Sequence, residues 1–284
     1  MRVTPFVITL ITLLFASAPQ ATSPTFESAV PFELFQDSGI VIPVTIDGRG
    51  PFRFLLDTGA SHSAISATLA SRLELTAIAK TLVTTPAGET WRAVVRVRNL
   101  ALGPVTVREI LPSIVHDNSL QDAMRAQGVL GQDVLAALHY TLDYSRRVLS
   151  WGGAASSDRQ WVQLPLEWIA GCPIVRTGPA GRPSTLRLIP DSGASHVVLF
   201  DAGDRALPPH HPGVGFVRLD TLGERRAARP VMIPELWIGP IVLRNQAAAV
   251  IGGGRREADG VLPLHLFRRV TVNGPAGYLL LESQ

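Results

Sequence analysis

Two six-residue stretches hold the acid–base chemistry available to this chain: Asp57-Thr58-Gly59-Ala60-Ser61-His62 and Asp191-Ser192-Gly193-Ala194-Ser195-His196. They differ at one position, Thr58 against Ser192, and both of those residues carry a hydroxyl. Each copy offers a carboxyl that can take or give a proton, next to a glycine that permits a tight turn and a close backbone approach. Ser61 and Ser195 do not read as nucleophiles, because the chain has no Gly-x-Ser-x-Gly elbow. His62 and His196 stand at the same remove from their aspartates and read as covering the turn. No metal site is expected: there is a single cysteine, Cys172, read as buried filler, and no His-x-x-x-His pair.

The elements around the two stretches repeat as well. Residues 39–57, "GIVIPVTIDGRGPFRFLLD", and 171–191, "GCPIVRTGPAGRPSTLRLIPD", both read as strand, Gly-rich turn and strand ending in Asp. After the first Asp turn, Ile65, Leu69 and Leu73 have helical spacing, which predicts a short helix within 63–75; residues 197–208 take the same place in the second copy. A hairpin is expected over 81–103, turning at Ala87-Gly88, and another over 216–239, turning at Leu222-Gly223. Gly-Val-Leu follows at 128–130 and at 260–262, and each is succeeded by alternating strands, 140–151 and 268–282. Such internal repetition implies two matched β lobes with a cleft at their interface.

The paired Asp turns, each after an apolar strand and each followed by Gly-Val-Leu, resemble the aspartic peptidases of the pepsin and retropepsin type. The resemblance covers most of the chain, and the short lobes are nearer the retropepsin size, fused in one polypeptide. It implies an all-β fold of two homologous six-stranded-type β-barrel lobes with the active-site cleft between them. It implies Asp57 and Asp191 as a catalytic dyad sharing one proton, since two carboxyls held close do not both ionise readily. Thr58 and Ser192 would then hydrogen-bond to the opposite loop, with Gly59 and Gly193 completing the dyad support. The hairpin around Gly88 resembles the flap that closes over substrate, and the one around Gly223 a second flap. No cofactor is implied. Two departures stand out: Pro263 replaces the glycine found at Gly131, and Pro190, which has no N–H, precedes Asp191. Ala60 and Ala194 cannot donate a side-chain hydrogen bond as Ser or Thr does in many pepsin-like relatives. The expected pH optimum is therefore only mildly acidic, roughly pH 4 to 6.5.

Composition sets the remaining bounds. The 284 residues are 46% hydrophobic and 17% charged, with 25 Gly and 22 Pro, which supplies a core and many turns and disfavours a helical bundle. A net charge of +3 without any long basic run excludes a nucleic-acid role. Arg2, the apolar run Phe6–Phe15 and Ala16-Ser17-Ala18 follow the order of a secretory signal peptide. The expected organisation is a signal peptide at 1–21, a linker at 22–36, one lobe at 37–151, a connector at 152–160 and a second lobe at 161–284. The function expected is an exported (periplasmic or extracellular) aspartic endopeptidase acting on peptide or protein substrates as a monomer, with an uncleaved N-terminal anchor as the alternative to export in soluble form. Two other readings stand beside it: a catalytically weak or inactive peptide-binding protein on the same two-lobe scaffold, and two interaction modules with no joint cleft. The separation of the Asp57 and Asp191 carboxyls discriminates them, since a gap of more than about 6 Å leaves no shared proton.

Overall fold

A computed structural model describes residues 29–85, 88–117, 120, 125–153, 161–169, 171–179, 186–201, 207–215, 217–221, 224–253 and 257–284. The expected signal segment therefore lies outside the described residues. Within them the chain is almost entirely strand, with short helices at Ala67–Arg72 and Gln132–Leu135 and a 3-10 turn at Leu264–Leu266.

Each half is built around an Asp-bearing hairpin. In the first, Gly39–Ile46 pairs antiparallel with Arg49–Leu56. The turn between them is made by Asp47 and Gly48, both at positive φ (46° and 77°), the conformation that suits a two-residue hairpin loop. In the second, Cys172–Pro179 pairs with Leu186–Asp191. The Gly-Val-Leu strands then wedge in beside the Asp-bearing strands. Gly128–Leu130 runs parallel to Arg49–Leu56 and antiparallel to Ala64–Ser66. Gly260–Pro263 runs parallel to Leu186–Asp191 and antiparallel to Val197–Asp201. The leading glycine is a packing requirement in both: a Cβ on Gly128 would lie 2.2 Å from the Phe54 ring, and one on Gly260 would lie 2.1 Å from the Val198 carbonyl oxygen.

The segment after the first Asp turn is more divided than its periodicity suggests. Ile65 belongs to a strand, Ala64–Ser66, and the helix covers only Ala67–Arg72. Ser66 sets that boundary, since its side chain caps the helix by accepting from the Leu69 N–H at 3.1 Å. Both expected hairpins form, the first over 77–95 rather than 81–103, because Val97–Leu102 turns away to pair with Val105–Ile110. Ala77–Thr85 pairs with Gly88–Val95, closing at Thr85 opposite Gly88. Val217–Thr221 pairs with Glu224–Gly239, closing at Thr221 opposite Glu224, while Gly223 itself lies outside the described residues.

The strands at 140–151 and 268–282 come together between the two lobes. They interleave in one six-stranded sheet, ordered Val30–Pro31, Val148–Trp151, His139–Asp143, Arg269–Asn273, Tyr278–Glu282 and Trp161–Pro165. At its centre Thr141 stands opposite Thr271, with their hydroxyls 2.8 Å apart and buried. That pairing of like with like marks the pseudo-two-fold relation between the halves. Residues 30–35, expected in the linker, form strands that belong to this sheet and to the first lobe. One continuous buried cluster includes Ile40, Leu56 and Leu130 of the first half, Tyr140 and Val270 of the shared sheet, and Leu188 and Leu262 of the second. Apolar burial therefore holds the lobes together as well as holding each one folded.

Candidate active site

The two Asp turns meet where the halves abut, and the residues that join them are the hydroxyls. Thr58 Oγ1 donates to the Pro190 carbonyl at 2.7 Å, and Ser192 Oγ donates to the Leu56 carbonyl at 2.6 Å. In return Thr58 Oγ1 accepts from the Ser192 amide at 2.9 Å, and Ser192 Oγ accepts from the Thr58 amide at 3.1 Å. All four bonds are buried, and each hydroxyl uses its one proton and an acceptor lone pair. Proline at 190 costs nothing here, because the bond needs its carbonyl and not an N–H.

This lattice brings Asp57 and Asp191 together. Asp57 Oδ1 accepts from the amides of Gly59 at 2.9 Å and Ala60 at 3.0 Å. Asp191 Oδ1 accepts from Gly193 at 2.7 Å and Ala194 at 3.2 Å. The two carboxyls are hydrogen-bonded to each other. Burial, together with the negative charge of Asp57 beside it, pushes the Asp191 carboxyl well above the ordinary carboxylate range, and the Gly193 and Ala194 amides only partly oppose this. A carboxyl that holds its proton more tightly than usual beside a second carboxyl is the arrangement expected of an acid–base pair.

The glycines serve the approach of the loops. Neither Gly59 nor Gly193 has a positive φ, so the backbone turn does not itself demand them. A Cβ on Gly59, however, would lie 2.5 Å from Asp191 Oδ2. A Cβ on Gly193 would lie 3.3 Å from both Asp191 Oδ1 and Asp57 Cγ. Gly59 thus leaves the space that the opposite carboxyl occupies.

Behind the first turn lies a polar support that the sequence reading missed. Gln132 Nε2 donates to the Thr58 carbonyl at 2.6 Å, and the Gln132 amide donates to the Ala60 carbonyl at 2.8 Å. Asp133 Oδ1 accepts from the Ser63 amide at 2.9 Å and from Ser63 Oγ at 2.6 Å, while Ser63 Oγ accepts from Gly131 N at 3.1 Å. The available signal was two polar residues directly after a wholly buried strand. In the second copy the same places hold Val197, Pro263, Leu264 and His265. Val197 and Leu264 are fully buried. Burial holds the His265 imidazole below its ordinary value, against the effect of its hydrogen bond to the Ala194 carbonyl.

His62 and His196 do not cover the turns. Both rings are exposed and bonded to the preceding serine, with Ser61 Oγ 3.1 Å from His62 Nδ1 and Ser195 Oγ 2.9 Å from His196 Nδ1. Gly88 opens the second strand of the first hairpin, and along that hairpin Leu82 and Trp91 stand opposite each other, both exposed.

A family model described as aspartyl protease matches residues 42–134 and 180–265, more than half of the chain. The chain belongs to the aspartyl protease family. Each matched segment contains one Asp turn and runs through its Gly-Val-Leu strand. Among solved structures, the crystal structure of aspartic proteinase from Irpex lacteus aligns with a TM-score of 0.52 at 14% identity, covering 90% of this chain and 97% of that one. Basic 7S globulin from soybean aligns with a TM-score of 0.50 at 15% identity, covering 90% and 95%. At such identities these likenesses establish the fold, which is that of two-lobed pepsin-like proteins. A search of curated proteins gives no match.

Proposed function

We propose that this aspartyl protease family member is an aspartic endopeptidase in which Asp57 and Asp191 hydrolyse peptide bonds through one activated water. The observation that carries the reading is the pairing of the two carboxyls, with Asp191 shifted above the ordinary carboxylate range by burial and by the charge of Asp57. Asp57 then acts as the base: it takes a proton from water as the water oxygen bonds to the peptide carbonyl carbon. Asp191 acts as the acid, giving its proton to the carbonyl oxygen. Collapse of the tetrahedral intermediate breaks the C–N bond: Asp57 gives its proton to the leaving nitrogen, and one hydroxyl of the intermediate returns its proton to Asp191 as the carbonyl re-forms, which restores the dyad. Thr58, Gly59, Ser192 and Gly193 fix the geometry. The hairpin of Gly88, with Leu82 and Trp91, and the hairpin of Gly223 supply the walls that cover an extended substrate. Both halves of the site belong to one chain, so the monomer is the active unit.

Digestion of a mixed peptide library tests this. The wild type should cut, and Asp57→Asn or Asp191→Asn should each lower the rate by several orders of magnitude, because groups acting as a unit fail together. Near-normal cleavage by Asp191→Asn would overturn the dyad. The alternative of a peptide-binding protein on this scaffold predicts no cleavage by any form. Export is part of the same proposal, motivated by Arg2 and the apolar run Phe6–Phe15. N-terminal sequencing of the exported protein should find the first 18 to 21 residues removed. Intact Met1 on membrane-bound material would favour the anchor.

A further inference from the structure

The Ser-His pair that follows each Asp turn has no part in holding the dyad. The Asp carboxyls take their turn bonds from the amides of residues 59, 60, 193 and 194. Residue 63 then faces inward to Asp133. Between these, Ser61-His62 and Ser195-His196 face outward, each hydroxyl bonded to its own imidazole Nδ1. Ser61 also lies against the other half of the molecule: its Cβ is 3.7 Å from the position a Cβ would take on Gly171.

The two copies have diverged all around this pair. Ser63 became Val197, Gly131 became Pro263, Gln132 became Leu264 and Asp133 became His265, yet Ala-Ser-His is the same in both. Packing does not demand an exposed histidine at the same place in two such different settings. A substrate laid across both turns meets the same pair at each end.

We infer that His62 and His196 are matched specificity-determining residues, each selecting an acidic side chain of the substrate, one on either side of the scissile bond. This rests on the peptidase reading above. When the serine O–H donates to Nδ1, the ring proton sits on Nε2 and points outward; when the ring is protonated, Nε2 again carries a proton. In these two states Nε2–H is the group offered to substrate, and its strongest partner is a carboxylate. The neutral form protonated on Nδ1 would instead donate to the serine and offer Nε2 as an acceptor; selection of an acidic side chain uses the two N–H forms. Each histidine stands five positions after its aspartate. The reach is therefore at most about 18 Å, or about five residues of an extended peptide from the cut.

The experiment determines cleavage preference at one pH, 5.5, with a degenerate dodecapeptide library, and then compares Glu and Gln versions of the best-cut peptide. The wild type should prefer Glu at one position on each side of the cut. His62→Ala should lower the Glu-over-Gln ratio of kcat/KM on one side by about tenfold, and His196→Ala on the other, with His62→Lys and His196→Lys restoring it. Equal losses on Glu and Gln peptides would assign the imidazoles to main-chain carbonyls and overturn the inference while leaving the peptidase intact. So would both variants acting on the same side. If the wild type cuts nothing, the peptidase reading fails, and the inference is read by binding. Immobilised Asp57→Asn protein should retain acidic peptides from the same library, and the His62→Ala and His196→Ala changes made in that protein should abolish the enrichment. No enrichment overturns it.

Discussion

The two Asp turns present the same surface to the cleft on unlike foundations. In the first half the turn rests on a polar network: Gln132 on the Thr58 carbonyl, and Asp133 on Ser63, which in turn accepts from Gly131. In the second half the network is exchanged as a set. Val197 replaces the serine, Pro263 removes the amide that would have needed that hydroxyl, and Leu264 fills the glutamine's place. Exchanging donor and acceptor together spares the serine, amide and glutamine groups a lost partner, leaving His265 Nδ1 as the buried atom of the set without one among the described residues. The face toward the cleft has no such freedom. Each hydroxyl must reach the other loop, and each glycine must leave room for what stands opposite.

The largest effect should come from that shared face, and it should be unequal. Gly59→Ala places a methyl 2.5 Å from Asp191 Oδ2, so one turn must move. A displacement of that order lowers cleavage by about a hundredfold or more. Gly193→Ala meets its neighbours at 3.3 Å, a gap that small shifts relieve, and should cost about tenfold or less. Rate measurements on one peptide check this; equal losses would mean that the turns are more symmetric than their geometry.

The foundations should differ next, in stability. Asp133→Ala removes the acceptor of both the Ser63 amide and its hydroxyl, a loss of about 1–3 kcal/mol. His265→Leu removes one bond to a half-buried carbonyl and should cost about 1 kcal/mol or less. Urea midpoints at unchanged slope read the difference directly. A larger loss from His265→Leu would show that the second turn depends on a polar contact after all.

The smallest effect concerns the carboxyls themselves. Asp191 has a folded-state value raised above its ordinary 3.8. Between these values the unfolded chain has released the proton while the folded chain still holds it. The folded state therefore binds more protons there, and stability falls as pH rises through the raised value. Asp191→Asn cannot ionise and should lose that slope. Melting temperatures taken upward from about pH 4 should fall in the wild type and stay flatter in the variant. Parallel curves would place the shared proton elsewhere.

Much of this was legible in the residues. The Asp-bearing hairpins, the Gly-Val-Leu strands and the two later hairpins announce themselves by apolar runs broken at turn residues, and these local signals survive folding. The helix after the first turn was legible as a run from 63 to 75 but not in its start, because Ser66 caps it only once Ala64–Ser66 is drawn into the sheet. Gln132 and Asp133 were passed over because their partners, Thr58 and Ser63, lie far off in the sequence. His62 and His196 were read as covering the turns, since the sequence does not say which way an exposed ring faces.

By itself the sequence determined that the chain is β-rich, that it consists of one unit written twice, and that each unit contributes a carboxyl, a hydroxyl and a glycine. Repetition and short-range pattern are properties of the chain, and no folding is needed to see them. The tertiary structure decided what the copies do to each other. Only there do Thr58 and Ser192 exchange bonds across the boundary, and only there do the closing strands join in one sheet with Thr141 against Thr271. There too Asp191 becomes a different acid from an ordinary aspartic acid, because burial and the charge of Asp57 act on it through space rather than along the chain.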